Sequence, residues 1–189
     1  VGQMTVAEAC EVARQAALGL QAAHENGLVH RDVKPSNIML AQNGQVKLLD
    51  LGLARLADEG TPTAPPADFT SSGMAMGTAD YMAPEQVNDA HGVDIRADIY
   101  SLGCTLYKLL SGHAPFAGTA YRSAFDKMMA HVRDEPRPLS DLRPDLPAAL
   151  VAVIERMMAK DRALRHGTSQ EVADALAPFA VGADLVRLH

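Results

Sequence analysis

Between positions 30 and 50 the chain concentrates side chains that can hold and move charge. Arg31, Asp32, Lys34, Ser36 and Asn37 lie in one short run, and Asp50 follows. Loops this dense in polar groups are where folds place their chemistry. Each triplet taken alone also has a plainer reading, His30-Arg31-Asp32 as a polar turn and Asp50-Leu51-Gly52 as the cap of a hairpin.

The surrounding pattern supplies elements to position these groups. Thr5 and Glu8 have the form of a capping box, and Val6, Cys10, Ala13, Ala17, Leu20 and His24 recur at helical spacing, which predicts a helix over 6–25 that Gly27 can stop. Leu28-Val29-His30 then reads as a short strand entering the polar loop. Residues 38–41 and 45–49 flank Asn43-Gly44 and predict a small hairpin. Segment 58–77, rich in Pro, Thr, Ser, Ala and Gly, has no periodicity and reads as mobile. Residues 96–110 are apolar on nearly every side, as a central buried helix is. Further helices are expected over 120–133, over 147–159 with Pro147 in the first turn, and from a second capping box, Thr168 to Glu171, to about residue 177. The fold class expected is mainly α, a helical bundle around a buried central helix with a small β-hairpin.

Composition narrows the function. A 48% hydrophobic content over 189 residues can build a core, and a net charge of −6 argues against a nucleic-acid or anionic-membrane surface. The two cysteines, Cys10 and Cys104, sit far apart in apolar settings and suggest neither a disulfide framework nor a zinc site. No apolar stretch approaches the roughly 20 residues that span a bilayer, and no secretory signal is present, so a cytoplasmic location is expected. A helix that begins so close to Val1 suggests a chain cut from something longer.

The run His30-Arg31-Asp32-Val33-Lys34-Pro35-Ser36-Asn37 resembles the catalytic loop of protein kinases, and Asp50-Leu51-Gly52 their metal-binding triplet with Leu for the usual Phe. Gly77-Thr78-Ala79-Asp80-Tyr81-Met82-Ala83-Pro84-Glu85 is similar to the end of a kinase activation segment, and Asp98 through Gly103 to the start of the family's central helix. Lys34 and the Gly77-Thr78 pair resemble the serine/threonine class, and the wording is most similar to bacterial kinases of the eukaryotic type.

The resemblance implies roles. Asp32 would orient a substrate hydroxyl, Lys34 would place charge near the transferred phosphate, and Thr78 would bridge them, or else be an ordinary loop hydroxyl. Asn37 and Asp50 would hold Mg2+ on the phosphates of ATP, and Ile38, Met39 and Leu40 would form the floor beneath the adenine, the same apolar run describing a core strand equally well. Arg31 and Arg55 would hold a phosphorylated activation segment, with Thr61, Thr63, Thr70, Ser71 and Ser72 as candidate acceptors. His30 and Gly103 would be structural. Asp98 would hold the backbone of the His30-Arg31 region or cap its helix, and Glu85 and Arg165 would form a buried ion pair.

The kinase glycine-rich loop has no counterpart, since the chain contains no Gly-x-Gly. The resemblance therefore implies a C-terminal large lobe over 1–180, an extension over 181–189, and no N-terminal ATP-binding lobe. Such a lobe would act on Ser or Thr of a protein substrate only within its parent and would be inactive alone. The alternative is a non-catalytic regulatory or protein-binding module that uses the 120–133 helix. Apolar surface around Val29, Ile38, Met39 and Leu51, or exchange of the 58–85 segment, would favour a homodimer.

Overall fold

The computed structural model describes residues 4–50, 55–56, 74–88 and 92–188. Eight α-helices and four short strands are seen among them, with α1 over Val6–Glu25 and α4 over Arg96–Ser111 as the longest. No helix among the described residues is long and apolar enough to cross a membrane.

Helix α1 starts on a reciprocal cap: Thr5 Oγ1 accepts from the Glu8 N–H at 3.2 Å, and the Thr5 N–H donates to Glu8 Oε2 at 2.8 Å. Its inward face is mostly small, with Ala9, Ala13, Ala16, Ala17 and Ala23 buried, so neighbouring elements can approach closely. Helix α8 (Ser169–Leu176) and α4 use that face. In α4 every residue from Ala97 to Tyr107 is buried. Gly103 lies tight against the end of α7 (Ala148–Met157): a Cβ there would lie 3.0 Å from Met157 Cβ and 2.9 Å from Met158 Cγ. Pro147 occupies the N-cap of α7, one place before the first turn.

Strands β2 (Ile38–Leu40) and β3 (Val46–Leu48) pair antiparallel, with Met39 opposite Lys47. Asn43 Oδ1 accepts from the Gln45 N–H at 3.1 Å, and Gly44 takes a φ of 79° that favours glycine. Ile38, Val46 and Leu48 pack on the core while Met39 faces outward, 41% exposed. A second antiparallel pair joins β1 (Leu28–Val29) to β4 (Arg55–Leu56). It brings the chain after Asp50 back beside the strand that enters the polar loop. Val29 is fully buried, so it does not belong to an exposed apolar patch as expected.

Other differences have local causes. Helix α2 (Met74–Ala79) occupies the end of the stretch read as mobile, and α3 (Pro84–Asn88) follows. Helix α5 (Ala124–Arg133) begins later than position 120 because Ser123 and Asp126 form a capping box with Asp in place of the longer acid. At α8 the box is only half made. Thr168 Oγ1 accepts from the Glu171 N–H at 3.2 Å, but the Glu171 carboxylate takes the Gly167 N–H at 2.9 Å. Helix α6 (Leu139–Leu142) completes the set. Near the chain's end Leu185 is buried, and Arg187 pairs with Glu8 of α1, its Nη2 lying 2.6 Å from Oε2. The hydrogen bond from Arg187 holds the Glu8 carboxyl below the usual range.

Candidate active site

The polar loop starts at the end of β1 with Arg31 in a left-handed conformation, φ 66°, which costs a non-glycine residue about 1–3 kcal/mol. The backbone is held there from both sides. Asp98 Oδ1 accepts from the Arg31 N–H at 2.8 Å, and Gln86 Nε2 donates to the Arg31 carbonyl at 2.9 Å. Gln86 is itself fixed by accepting from the Ala83 N–H at 2.9 Å.

Asp98 is fully buried on α4, and a buried carboxylate must be surrounded by donors. Its second oxygen accepts from the His30 N–H at 2.8 Å and from His24 Nε2 at 2.9 Å. A carboxylate only accepts, so Nε2 is the protonated nitrogen of His24. Asp98 does not cap its helix, whose N-cap position is Ile95.

His30, also fully buried, carries the scaffold toward Asp50: its Nε2 lies 2.9 Å from the Leu49 carbonyl, and the Leu49 N–H donates to the Asn37 carbonyl at 2.8 Å. Two hydrogen bonds thus attach the residue before Asp50 to the loop. Asp50 itself takes a φ of 58° and is exposed.

Lys34 and Asn37 converge on Asp32. Lys34 Nζ is 2.8 Å from Asp32 Oδ2 and donates to Thr78 Oγ1 at 2.8 Å. Asn37, at the end of a 3-10 turn over Pro35–Asn37, donates Nδ2 to the Asp32 carbonyl at 2.8 Å and to Oδ2 at 3.0 Å. Both side-chain contacts fall on Oδ2, so Oδ1 is the oxygen they leave to another donor. With the Asn37 nitrogen engaged, its amide oxygen is the atom available to a cation. Asn37 and Asp50 are hard donors and fit Mg2+ by type, although phosphate and water oxygens must fill most of its shell.

The segment carrying Thr78 is anchored beyond the site. Ser101 on α4 donates to the Tyr81 carbonyl at 2.7 Å. Burial, reinforced by the charge of Asp80, pushes the Tyr81 hydroxyl up to about 12. Arg165, with no side-chain exposure, grips Glu85 through both nitrogens at 2.6 and 2.9 Å and stacks 4.8 Å over the Tyr100 ring. The thiols of Cys10 and Cys104 are pushed up to about 12 by burial, so neither serves as a nucleophile near neutral pH.

Of the remaining candidates, Met39 lies on the outward face of the hairpin and Gly103 at the α4–α7 contact. Leu51, Gly52, Thr61, Thr63, Thr70, Ser71 and Ser72 lie outside the described residues, as does the side chain of Arg55. Sequence reasoning passed over His24, Gln86 and Ser101. Gln86 directly follows the Ala83-Pro84-Glu85 triplet, which was its only signal. His24 was legible only as one step of a helical repeat.

A protein-family model described as protein kinase domain matches residues 1–176. The chain is 40% identical over its full length to the serine/threonine-protein kinase PknB of Mycobacterium tuberculosis, and covers 27% of that protein. It is also 40% identical, over 96% of its length, to the serine/threonine-protein kinase PknA of the same organism, covering 39% of it. The chain therefore spans between about a quarter and two-fifths of the length of these relatives.

Proposed function

This chain belongs to the protein kinase family, and from that premise we propose that it is the large lobe of a bacterial serine/threonine kinase that transfers the γ-phosphoryl group of ATP to protein hydroxyls. The observation that carries the reading is the convergence of Lys34 on Asp32 and Thr78, 2.8 Å from each. Phosphoryl transfer asks a protein mainly for alignment and charge neutralisation, and this cluster suits both tasks.

Asp32 accepts a hydrogen bond from the acceptor hydroxyl at Oδ1, orients it and takes its proton. Lys34 holds Asp32 by its Oδ2 and presents positive charge to the phosphate side. Thr78 holds the Lys34 ammonium from the activation-segment side, so that a displaced segment would release the lysine. Asn37 fixes the Asp32 side chain with its nitrogen and, with Asp50, offers oxygens to Mg2+. ATP and Mg2+, when bound, supply the transferable group and the balancing charge. Met39 offers an apolar surface for the adenine and for a small lobe that these 189 residues do not supply. Arg31 and Arg55 are the candidate partners of a phosphorylated activation segment. Residues 1–180 form the lobe and 181–189 an extension tied back to α1; the chain alone is inactive and self-associates. The location is cytoplasmic.

Transfer of radiolabelled phosphate from ATP to a generic basic protein tests the proposal. Activity is expected from the full-length kinase that contains this chain, and neither from its Asp32→Asn variant nor from the 189-residue chain alone. Full activity in Asp32→Asn would overturn it.

A further inference from the structure

On the face of α5 toward the activation segment, Lys127 Nζ lies 2.5 Å from Asp80 Oδ1, with 14% and 19% of the two side chains exposed. Oδ1 is buried and accepts no aligned hydrogen bond, so the contact is a close charge pair more than a directional one. Asp80 lies two residues beyond Thr78, at most about 7 Å along the chain. Thr78 shares the Lys34 ammonium with Asp32. A peptide that delivers its hydroxyl to Asp32 comes up to the segment carrying Thr78, and an unpaired acid two residues along that segment would attract its basic residues.

We propose that Lys127 is a specificity-determining residue: by neutralising Asp80 from α5 it removes the charge preference that Asp80 would otherwise impose on the residues flanking the acceptor. The inference rests on the kinase reading of the site. Its logic is electrostatic, since either partner alone presents a full charge at the same place while the pair presents nearly none. Helix α5 is independently held in register. His131 Nδ1 lies 2.8 Å from the Tyr100 hydroxyl, and Lys160 donates to the His131 carbonyl at 2.9 Å, so losing the Lys127 charge does not release the helix.

The test is a positional-scanning peptide library phosphorylated by the full-length kinase and by its Lys127→Met, Asp80→Asn and double variants. Each preference is expressed as a ratio within one enzyme, so differences in total rate cancel. Lys127→Met is expected to gain about fivefold for Lys or Arg beside the acceptor, the worth of one solvent-accessible ion pair. Asp80→Asn is expected to shift toward Asp or Glu by a similar factor, and the double variant to match the wild type. A merely structural pair would not produce opposite shifts that cancel. Unchanged ratios in both single variants, or shifts of the same sign, would overturn the proposal. Absence of phosphorylation by the wild-type enzyme would instead overturn the kinase reading itself.

Discussion

Replacing Arg165 by Ala removes a guanidinium with no exposed side-chain surface. The lost contacts are two hydrogen bonds to Glu85, at 2.6 and 2.9 Å, and one each to the carbonyls of Ala159 at 2.7 Å, Arg96 at 2.9 Å and Lys160 at 3.2 Å. The stacking on Tyr100 goes with them. Glu85, only 12% exposed, is left as a stranded charge. Breaking a buried pair from one side costs about 3–5 kcal/mol. For a chain of this size each kcal/mol moves the melting temperature by about 2–4 °C, so a fall of about 10 °C is expected by circular dichroism. Arg162 provides the control. It is 43% exposed, lies 3.6 Å from Asp94 and donates to the Gly92 carbonyl at 2.5 Å, so Arg162→Ala should cost less than about 1 kcal/mol. A Glu85→Ala, Arg165→Ala double variant should lose less than the sum of its singles, because no charge remains stranded. Equal melting temperatures for Arg165→Ala and Arg162→Ala would refute the argument that burial sets the cost.

Two further predictions concern the interior. Gly103→Ala should destabilise the chain by about 1 kcal/mol in urea titration, because overpacking against the fully buried Met157 outweighs the helix propensity gained; a stabilised variant would show that α4 and α7 can part freely. His131 is pushed down to about 3, first by burial and then by the charge of Lys160, so the folded state keeps it neutral where the unfolded state protonates it near 6.5. Stability then rises with pH between those values, and acidifying from pH 7 to 5 should cost about 2 kcal/mol through this residue. His131→Gln should flatten that dependence in urea titrations at the two pH values, and an unchanged slope would count against it.

Much of the architecture was legible because its determinants are local. The reciprocal cap at Thr5 and Glu8, the Asn43-Gly44 turn and the apolar residues on nearly every side of α4 each act within a few residues, and the helices and the hairpin lie close to where these features put them. The same locality explains the misreadings. A Ser123–Asp126 box lies outside the usual Glu or Gln pattern, and Glu171 has two backbone donors within reach, between which spacing does not choose. Residue types also singled out Asp32, Lys34 and Asn37, whose side chains the fold brings into contact.

What the tertiary structure decided was which groups meet and in what conformation. The left-handed turn at Arg31 has no marker in its residue type, because the energy that holds it comes from Asp98 and Gln86, 67 and 55 residues away. The protonated nitrogen of His24 and the pairing of Lys127 with Asp80 likewise depend on helices brought together by packing. Sequence alone determines the local preferences of each segment and the chemistry each side chain can offer. Only the folded chain determines which buried charge finds which donor, because that choice depends on distances through space.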